Sequence, residues 1–195
     1  MTDEQLLRDG NDGAMAELVG RYERPLFHFL LRMVGERAAA EDLFQETFLR
    51  LHRGRFTFDA RLPLRPYLYR IAVNAAREML ARNASRPRPV SLDGPSGGVS
   101  AVDCPADEAG DPVALEEGGE MKERVRSAVA ALPPAEREVV HLRVFEGLKF
   151  REIAQITGVP LATAKSRMLY ALRRLRPALE TYLQGGEAVR KEAQP

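Results

Sequence analysis

The sequence contains no tryptophan, one cysteine and only three histidines. A single thiol, Cys104, excludes an internal disulfide and any centre built from several cysteines. His28, His52 and His141 stand far apart and form no helical pair, so the pattern offers no metal site. There is no phosphate-binding glycine loop and no cluster of histidines with carboxylates, which predicts a protein that is not an enzyme and needs no cofactor. No apolar run approaches the roughly 20 residues that cross a bilayer, and the acidic opening MTDEQ is unlike a signal peptide. These absences predict a cytoplasmic protein in a reducing compartment, without membrane insertion. No stretch alternates apolar and polar residues for long enough to suggest a strand, so the expected fold class is all-α.

Lysine is missing from residues 1–90, where 15 arginines face 12 acids for a net charge of +3. Residues 91–120 hold eight acids and no base, whereas residues 121–195 carry 14 bases and 8 acids, a net +6. The overall charge of +1 therefore hides two basic ends around an acidic middle, a distribution that points to nucleic acid at both ends.

The most informative stretch is KFREIAQITGVPLATAKSRMLYALRRLR, Lys149 to Arg176. Phe150, Ile153, Ala154 and Ile156 fall on one helical side before Thr157-Gly158-Val159-Pro160 interrupts the pattern. Leu161, Ala164, Met168, Leu172, Leu175 and Leu179 then mark the buried face of a second helix. Thr163, Ser166, Arg167, Tyr170 and Arg174 occupy its other face, with Lys165 and Arg173 alongside. A short helix, a glycine turn and a helix exposing hydroxyls and cations predict a helix-turn-helix. Its second helix suits a major groove, with early residues toward base edges and later arginines toward phosphates. A helical hairpin with an ordinary solvated face is the plainer alternative.

Upstream, Asn11 or Asp12 can cap a helix carrying Met15, Leu18, Val19, Tyr22, Leu26, Phe29, Leu30 and Met33, ended by Gly35. Pro25 predicts a kink or short break within it. A second helix over about Glu36 to Arg53 turns Ala40, Leu43, Phe44, Thr47, Phe48 and Leu51 inward. Glu41, Asp42, Gln45 and Glu46 form an outward acidic patch beside an exposed Phe48 edge: a solvated face or a docking surface for a basic helix. After a loop from Gly54 to Arg65, a third helix from Pro66 to about Ala84 buries Leu68, Ile71, Ala72, Ala75, Met79 and Leu80. Arg65, Tyr67, Tyr69, Arg70, Asn74, Arg77 and Arg82 surround that stripe, a mixture suited to unstacked bases and phosphates. One of the two tyrosines is expected to be an ordinary core residue.

Residues 85–120, rich in Gly, Pro and Ser, read as a flexible acidic linker, either simply solvated or imitating nucleic acid in a basic channel. Helical spacing returns from Met121 with Val125, Val129 and Leu132. Pro133-Pro134 breaks it, and a helix from Ala135 carries Val139, Val140, Leu142, Val144 and Phe145 to Gly147. The tail beyond Leu183 lacks apolar spacing and is expected to fray.

ERAAAEDLFQETFLRLHR, LRPYLYRIAVNAAREMLAR and ALPPAEREVVHLRVFEGLKFREIAQITGVPLATAKSRMLYALRRLR together resemble the short sigma-70-type factors of the extracytoplasmic-function (ECF) group. The resemblance implies two helical domains, a sigma region 2 over 1–84 and a sigma region 4 over 121–183, with a linker at 85–120 and a disordered tail at 184–195. It implies binding to core RNA polymerase (the beta and beta-prime subunits), with Asp42, Leu43, Gln45, Glu46 and Phe48 on the polymerase surface. It places Arg65, Tyr67, Arg70, Asn74 and Arg77 on promoter DNA at the −10 element. Thr163, Lys165, Ser166, Arg167, Tyr170, Arg173 and Arg174 fall to the −35 element. An anti-sigma factor is a further partner that many relatives have. The chain departs from the common pattern at Tyr67, usually Trp, at Pro66 and Ala164, and at Pro160, where a serine usually stands.

Elements two helical turns apart on B-DNA would lie roughly 70 Å from each other. A flexible linker of this length spans ~35 Å on average and over ~100 Å when stretched, so it permits the spacing without setting it. A free-standing helix-turn-helix regulator with a sensor domain predicts tight duplex binding without polymerase. An adaptor with the same surfaces predicts no effect on transcription.

Overall fold

In the computed structural model, residues 1–85 and 119–192 are described. They are entirely without strands, and every regular element among them is helical. The expected linker lies almost wholly outside the described residues, as does any role for its acids.

A helix that the periodicity does not reveal opens the chain: α1, Asp3–Asp9. Thr2 caps it, its hydroxyl accepting from the Gln5 N–H at 3.3 Å while the Gln5 side chain accepts from the Thr2 N–H at 2.9 Å. Leu6 and Leu7 are fully buried, and the Glu4 carboxylate accepts from the Leu64 N–H at 2.9 Å. That backbone hydrogen bond holds the Glu4 carboxyl below its ordinary value. Helix α1 therefore supplies a cap for α4 (Leu64–Ser85), sixty residues away.

Helix α2, Asp12–Val34, starts at Asn11, whose side chain accepts from the Ala14 N–H at 2.8 Å. It ends at Gly35 in the left-handed conformation, φ +77°. The helix runs through Pro25 without the expected break. Pro25 is exposed, so the carbonyl group left without its helical partner can meet water. Helix α3, Arg37–Gly54, and α4 complete an N-terminal body with α2. Pro66 stands in the first turn of α4, where its missing N–H breaks no helical bond, so the helix begins two residues before the expected start.

The C-terminal body contains α5, Gly119–Ala130, α6, Pro134–Val140, α7, Phe150–Thr157, and α8, Leu161–Glu192. Pro134 occupies the first turn of α6. A π turn, His141–Phe145, continues α6, with the Glu146 N–H donating to the His141 carbonyl at 3.2 Å. Val144 and Phe145, expected to continue an apolar helical pattern, are instead 58% and 52% exposed. The π turn carries them outward, and the Arg32 guanidinium lies over Phe145, 4.5 Å from the ring centre. Gly158 joins α7 to α8 at φ +72°. On α8 the buried stripe includes Ala164, Ala171 and Leu175; Leu172, expected inside, is 44% exposed because Ala171 takes the inward position. Helix α8 extends past Leu183 to Glu192, beyond the expected end, since adding residues to a long helix is easier than starting one.

The two bodies are in contact. One buried cluster runs from Leu18, Leu26 and Phe29 through Leu68 and Val73 to Leu142, Ile153 and Ile156. Helix α4 packs against α3 on one side and α7 on the other. Its residues explain how. Leu68, Ala72 and Ala75 form the expected stripe, and Tyr69, Val73 and Ala76 form a second, also buried, rotated by one position.

Candidate nucleic-acid and polymerase interfaces

The acidic surface of α3 divides. Asp42 and Gln45 are exposed. Glu46 accepts from Arg50 at 2.7 Å, and Arg50 also grips Glu78 of α4 at 2.8 Å. Leu43 and Phe48 are 2% and 7% exposed, so the expected Phe48 edge is closed; its ring lies 5.0 Å from Phe44. Leu49, 51% exposed, is the large apolar side chain that α3 turns to solvent.

On α4 the predicted set also divides. Arg70 and Asn74 are exposed. Tyr67 is half-buried, 4.9 Å from the Phe58 ring centre, with the Arg70 guanidinium 5.9 Å from its own ring. Tyr69 is the core member of the tyrosine pair, fully buried, with its ring edge toward Phe29 at 5.2 Å. Arg65, also exposed, and Arg77, half-buried, reach across to the C-terminal body. Arg65 donates to the Glu146 carbonyl at 2.7 Å. Arg77 pairs with Glu138 at 2.8 Å and also reaches the Thr157 carbonyl at 3.3 Å.

Glu146 is the centre of the junction. Its carboxylate accepts from Arg32 at 2.8 Å and from the Tyr69 hydroxyl, and its side chain is 3% exposed. Burial, then the charge of Glu146, raises the Tyr69 hydroxyl above its ordinary value, so it stays a donor. Burial also raises the Glu138 carboxyl, while Arg77 pulls it back. Beside them His141 is 3% exposed, and neither ring nitrogen meets a hydrogen-bond partner among the described residues. Its burial, reinforced by Arg32 and Arg137, pushes its pKa down to about 3, so the ring is neutral.

The sequence pattern misses Arg32, Tyr69, Glu138 and Glu146 as a set. A signal is present: Glu138, Leu142 and Glu146 recur at steps of four, two acids bracketing a core leucine on one side of the chain.

The basic side of α8 is more open. Lys165, Tyr170, Arg173 and Arg174 are exposed, and Thr163, Ser166 and Arg167 are half-buried. Ser166 donates to the Thr163 carbonyl at 3.0 Å, Arg173 lies 5.9 Å from the Tyr170 ring, and Arg174 pairs with Glu136 at 3.2 Å. The Pro160 carbonyl accepts the first helical bond, from Ala164 at 3.0 Å.

No helix among the described residues is long and apolar enough to cross a membrane, and no group of three or more metal-ligating side chains occurs among them. The family model for Sigma-70 region 2 matches residues 18–86, and that for Sigma-70, region 4 matches residues 122–175. The chain is 27% identical over 185 residues to the RNA polymerase sigma-H factor of Pseudomonas aeruginosa, covering 93% of this chain and 96% of that one. It is 29% identical over 194 residues to the ECF RNA polymerase sigma-E factor of Escherichia coli K12, covering 94% and 95%. Its fold is similar to that of CnrH, solved in complex with the cytosolic domain of CnrY, with a TM-score of 0.65 at 22% identity over 92% of this chain and 97% of that one. The sigma factor RpoE of Bartonella quintana, solved with the anti-sigma factor NepR, gives a TM-score of 0.57 at 20% identity over 85% and 96%. With both regions matched in one chain, in order, and relatives aligned across nearly their whole lengths, the chain belongs to the sigma-70 family, in its ECF group.

Proposed function

We propose that this protein binds core RNA polymerase and directs it to promoters, opening DNA for transcription initiation. The observation that carries this function is the pairing of region 2 with region 4 in a single chain. Residues 1–84 serve the polymerase and the −10 element, and residues 121–183 serve the −35 element. Asp42, Gln45 and the apolar Leu49 meet the polymerase surface, with Glu46 held in place by Arg50. Leu43 and Phe48 support that surface from beneath.

At the −10 element, Tyr67 and Arg70 present a ring and a cation to an unstacked base, while Asn74, Arg65 and Arg77 follow the strand. Unstacking costs a few kcal/mol per base, and stacking on a side chain returns about 1–3 kcal/mol, so capture of one or two bases biases melting without hydrolysis. At the −35 element, Thr163, Lys165, Ser166 and Arg167 face base edges, and Tyr170, Arg173 and Arg174 face the backbone. The protein acts in the cytoplasm by binding rather than turnover, and an anti-sigma factor is a fitting regulator, as one is bound to the Bartonella quintana protein.

Transcription in vitro with purified core polymerase and a genomic fragment library, with mapping of start sites, tests the function. New start sites sharing paired upstream elements are expected. Initiation unchanged at every fragment refutes it.

A further inference from the structure

Helix α1 touches both ends of the connection between α3 and α4. At the far end, the Glu4 carboxylate accepts at 2.9 Å from the N–H of Leu64, the first residue of α4. At the near end, Arg55 lies against Gly10, where a Cβ would stand 2.7 Å from the guanidinium Nε. Gly10 has φ +56°, so both its backbone and the space beside it suit glycine. Arg55 is fixed there by donating to the His52 carbonyl at 2.7 Å. Between these two points a cleft separates α1 from the connection, lined by Glu4, Arg8, Arg55, Phe56 and Phe58.

Helix α1 is itself secured. Leu6 and Leu7 are buried, and Asp3 accepts from Arg21 and Tyr22 of α2. The connection in turn bounds Tyr67. The Phe58 ring lies 4.9 Å from the Tyr67 ring centre, and a Cβ at Gly54, the last residue of α3, would stand 3.0 Å from the Tyr67 hydroxyl. Tyr67 also belongs to the first turn of α4, the turn whose leading N–H Glu4 accepts. A carboxylate at that position satisfies a donor without a partner inside the helix and meets the positive end of its dipole.

We propose that Glu4 is a positioning residue for promoter opening: by holding the first turn of α4 and the end of the connection, it keeps the Tyr67 ring presented to an unstacked base. This role rests on the promoter function proposed above, with Tyr67 as the stacking ring. The ring meets a base only after that base leaves the duplex. A loosened ring therefore weakens opening and leaves duplex recognition by α8 and capture of core unchanged. Glu4 acts through Tyr67 and does not itself touch DNA.

The chain has no tryptophan, so Y67W places a lone indole at the ring's position. Quenching of that indole by acrylamide is measured in the free full-length protein for Y67W, Y67W/E4A and Y67W/E4Q. Glu4→Ala removes the acceptor, whereas Glu4→Gln keeps a side-chain oxygen able to accept from Leu64. Quenching should rise with E4A and return to the Y67W value with E4Q.

Opening is measured by permanganate reactivity of unpaired thymines, with core polymerase and a supercoiled promoter found by start-site mapping. E4A should lower it about fivefold, the effect of a lost helix cap, with E4Q near the wild type and core affinity unchanged. In the Y67A background E4A should lower opening no further, because the ring it positions is gone. A purely structural role would lower both backgrounds alike. Each of four results overturns the proposal: an indole indifferent to E4A, wild-type opening by E4A, E4Q no better than E4A, or an equal loss from E4A with and without the Tyr67 ring. Circular dichroism verifies that E4A is folded. If it is not, Glu4→Asp, which keeps the charge but falls one methylene short, must show the same losses in smaller proportion, and their absence is equally fatal. Failure of the promoter function would appear differently, as no opening by any protein, wild type included, while the indole still responds to E4A.

Discussion

Helices α4 and α8 both carry arginines assigned to DNA, yet they hold them in opposite states. On α8 the cations lie along one open side, and the groups that meet them belong to the same body, as with Arg174 and Glu136. On α4, Arg65 and Arg77 span to the other body and end on buried acceptors. The difference arises from burial. Helix α8 has one inward stripe among its described side chains and leaves its basic side to solvent, whereas α4 is inward on two sides. A cation beside a single stripe meets acids of its own body; one beside a second stripe can reach acceptors of the other.

Substitutions on the two helices should therefore fail in different ways. Replacing Lys165 and Arg167 with alanine is expected to cost about 2–5 kcal/mol in upstream-element binding by the polymerase complex while leaving core capture intact. Unchanged promoter affinity in filter-binding or footprinting would contradict the assignment. Glu146→Ala leaves Arg32 and Tyr69 facing an empty buried site and should destabilise the free protein by about 3 kcal/mol in chemical denaturation. Lys165→Ala should shift the same curve by no more than about 0.5 kcal/mol. Equal losses in these two variants would erase the contrast.

The junction should also respond to acid. His141 has a folded pKa of about 3, below its ordinary 6.5, so between these values the unfolded chain binds a proton that the folded chain refuses. Its contribution is complete above pH 6.5 and is lost as pH falls toward 3. By pH 5 the loss is about 2 kcal/mol. The raised Glu138 carboxyl acts in the opposite direction above its ordinary value, so the comparison must be with His141→Phe, whose stability should fall less between pH 7 and pH 5. Parallel pH curves for the two proteins would remove His141 from the account. A modest effect on binding, about 1 kcal/mol, is expected for reversing Asp42 to Arg, an exposed charge whose loss should weaken capture of core enzyme. Co-purification at wild-type yield would contradict it.

Most helices of both bodies are legible in the sequence because they show an apolar stripe at helical spacing. Asn11, Gly35, Gly147 and Gly158 mark their ends as local chemistry requires. Helix α1 is not legible, since seven residues are too few to show a period, although Thr2 and Gln5 carry the capping signal. The acids around Phe48 on α3 suggest an outward edge, yet the ring continues Leu43 and Thr47 around the inward side. The second stripe of α4 is hidden because Tyr69, Val73 and Ala76 adjoin Leu68, Ala72 and Ala75, and their union reads as a broad apolar side rather than two. Glu138 and Glu146 look like surface acids in the sequence because their partners are more than sixty residues away along the chain.

The π turn at His141–Phe145 winds more chain into one revolution than an ordinary helix does. Each residue added to or taken from a helix swings the remainder of the chain by about 100°. Glu146 therefore meets Arg32 and Tyr69 by virtue of how many residues precede it as much as by its own charge. A one-residue deletion there would turn the Glu146 carboxylate away from Arg32 and Tyr69. Insertions and deletions, more than charge substitutions, are then the steps by which sequence change could tune how firmly the two ends hold together.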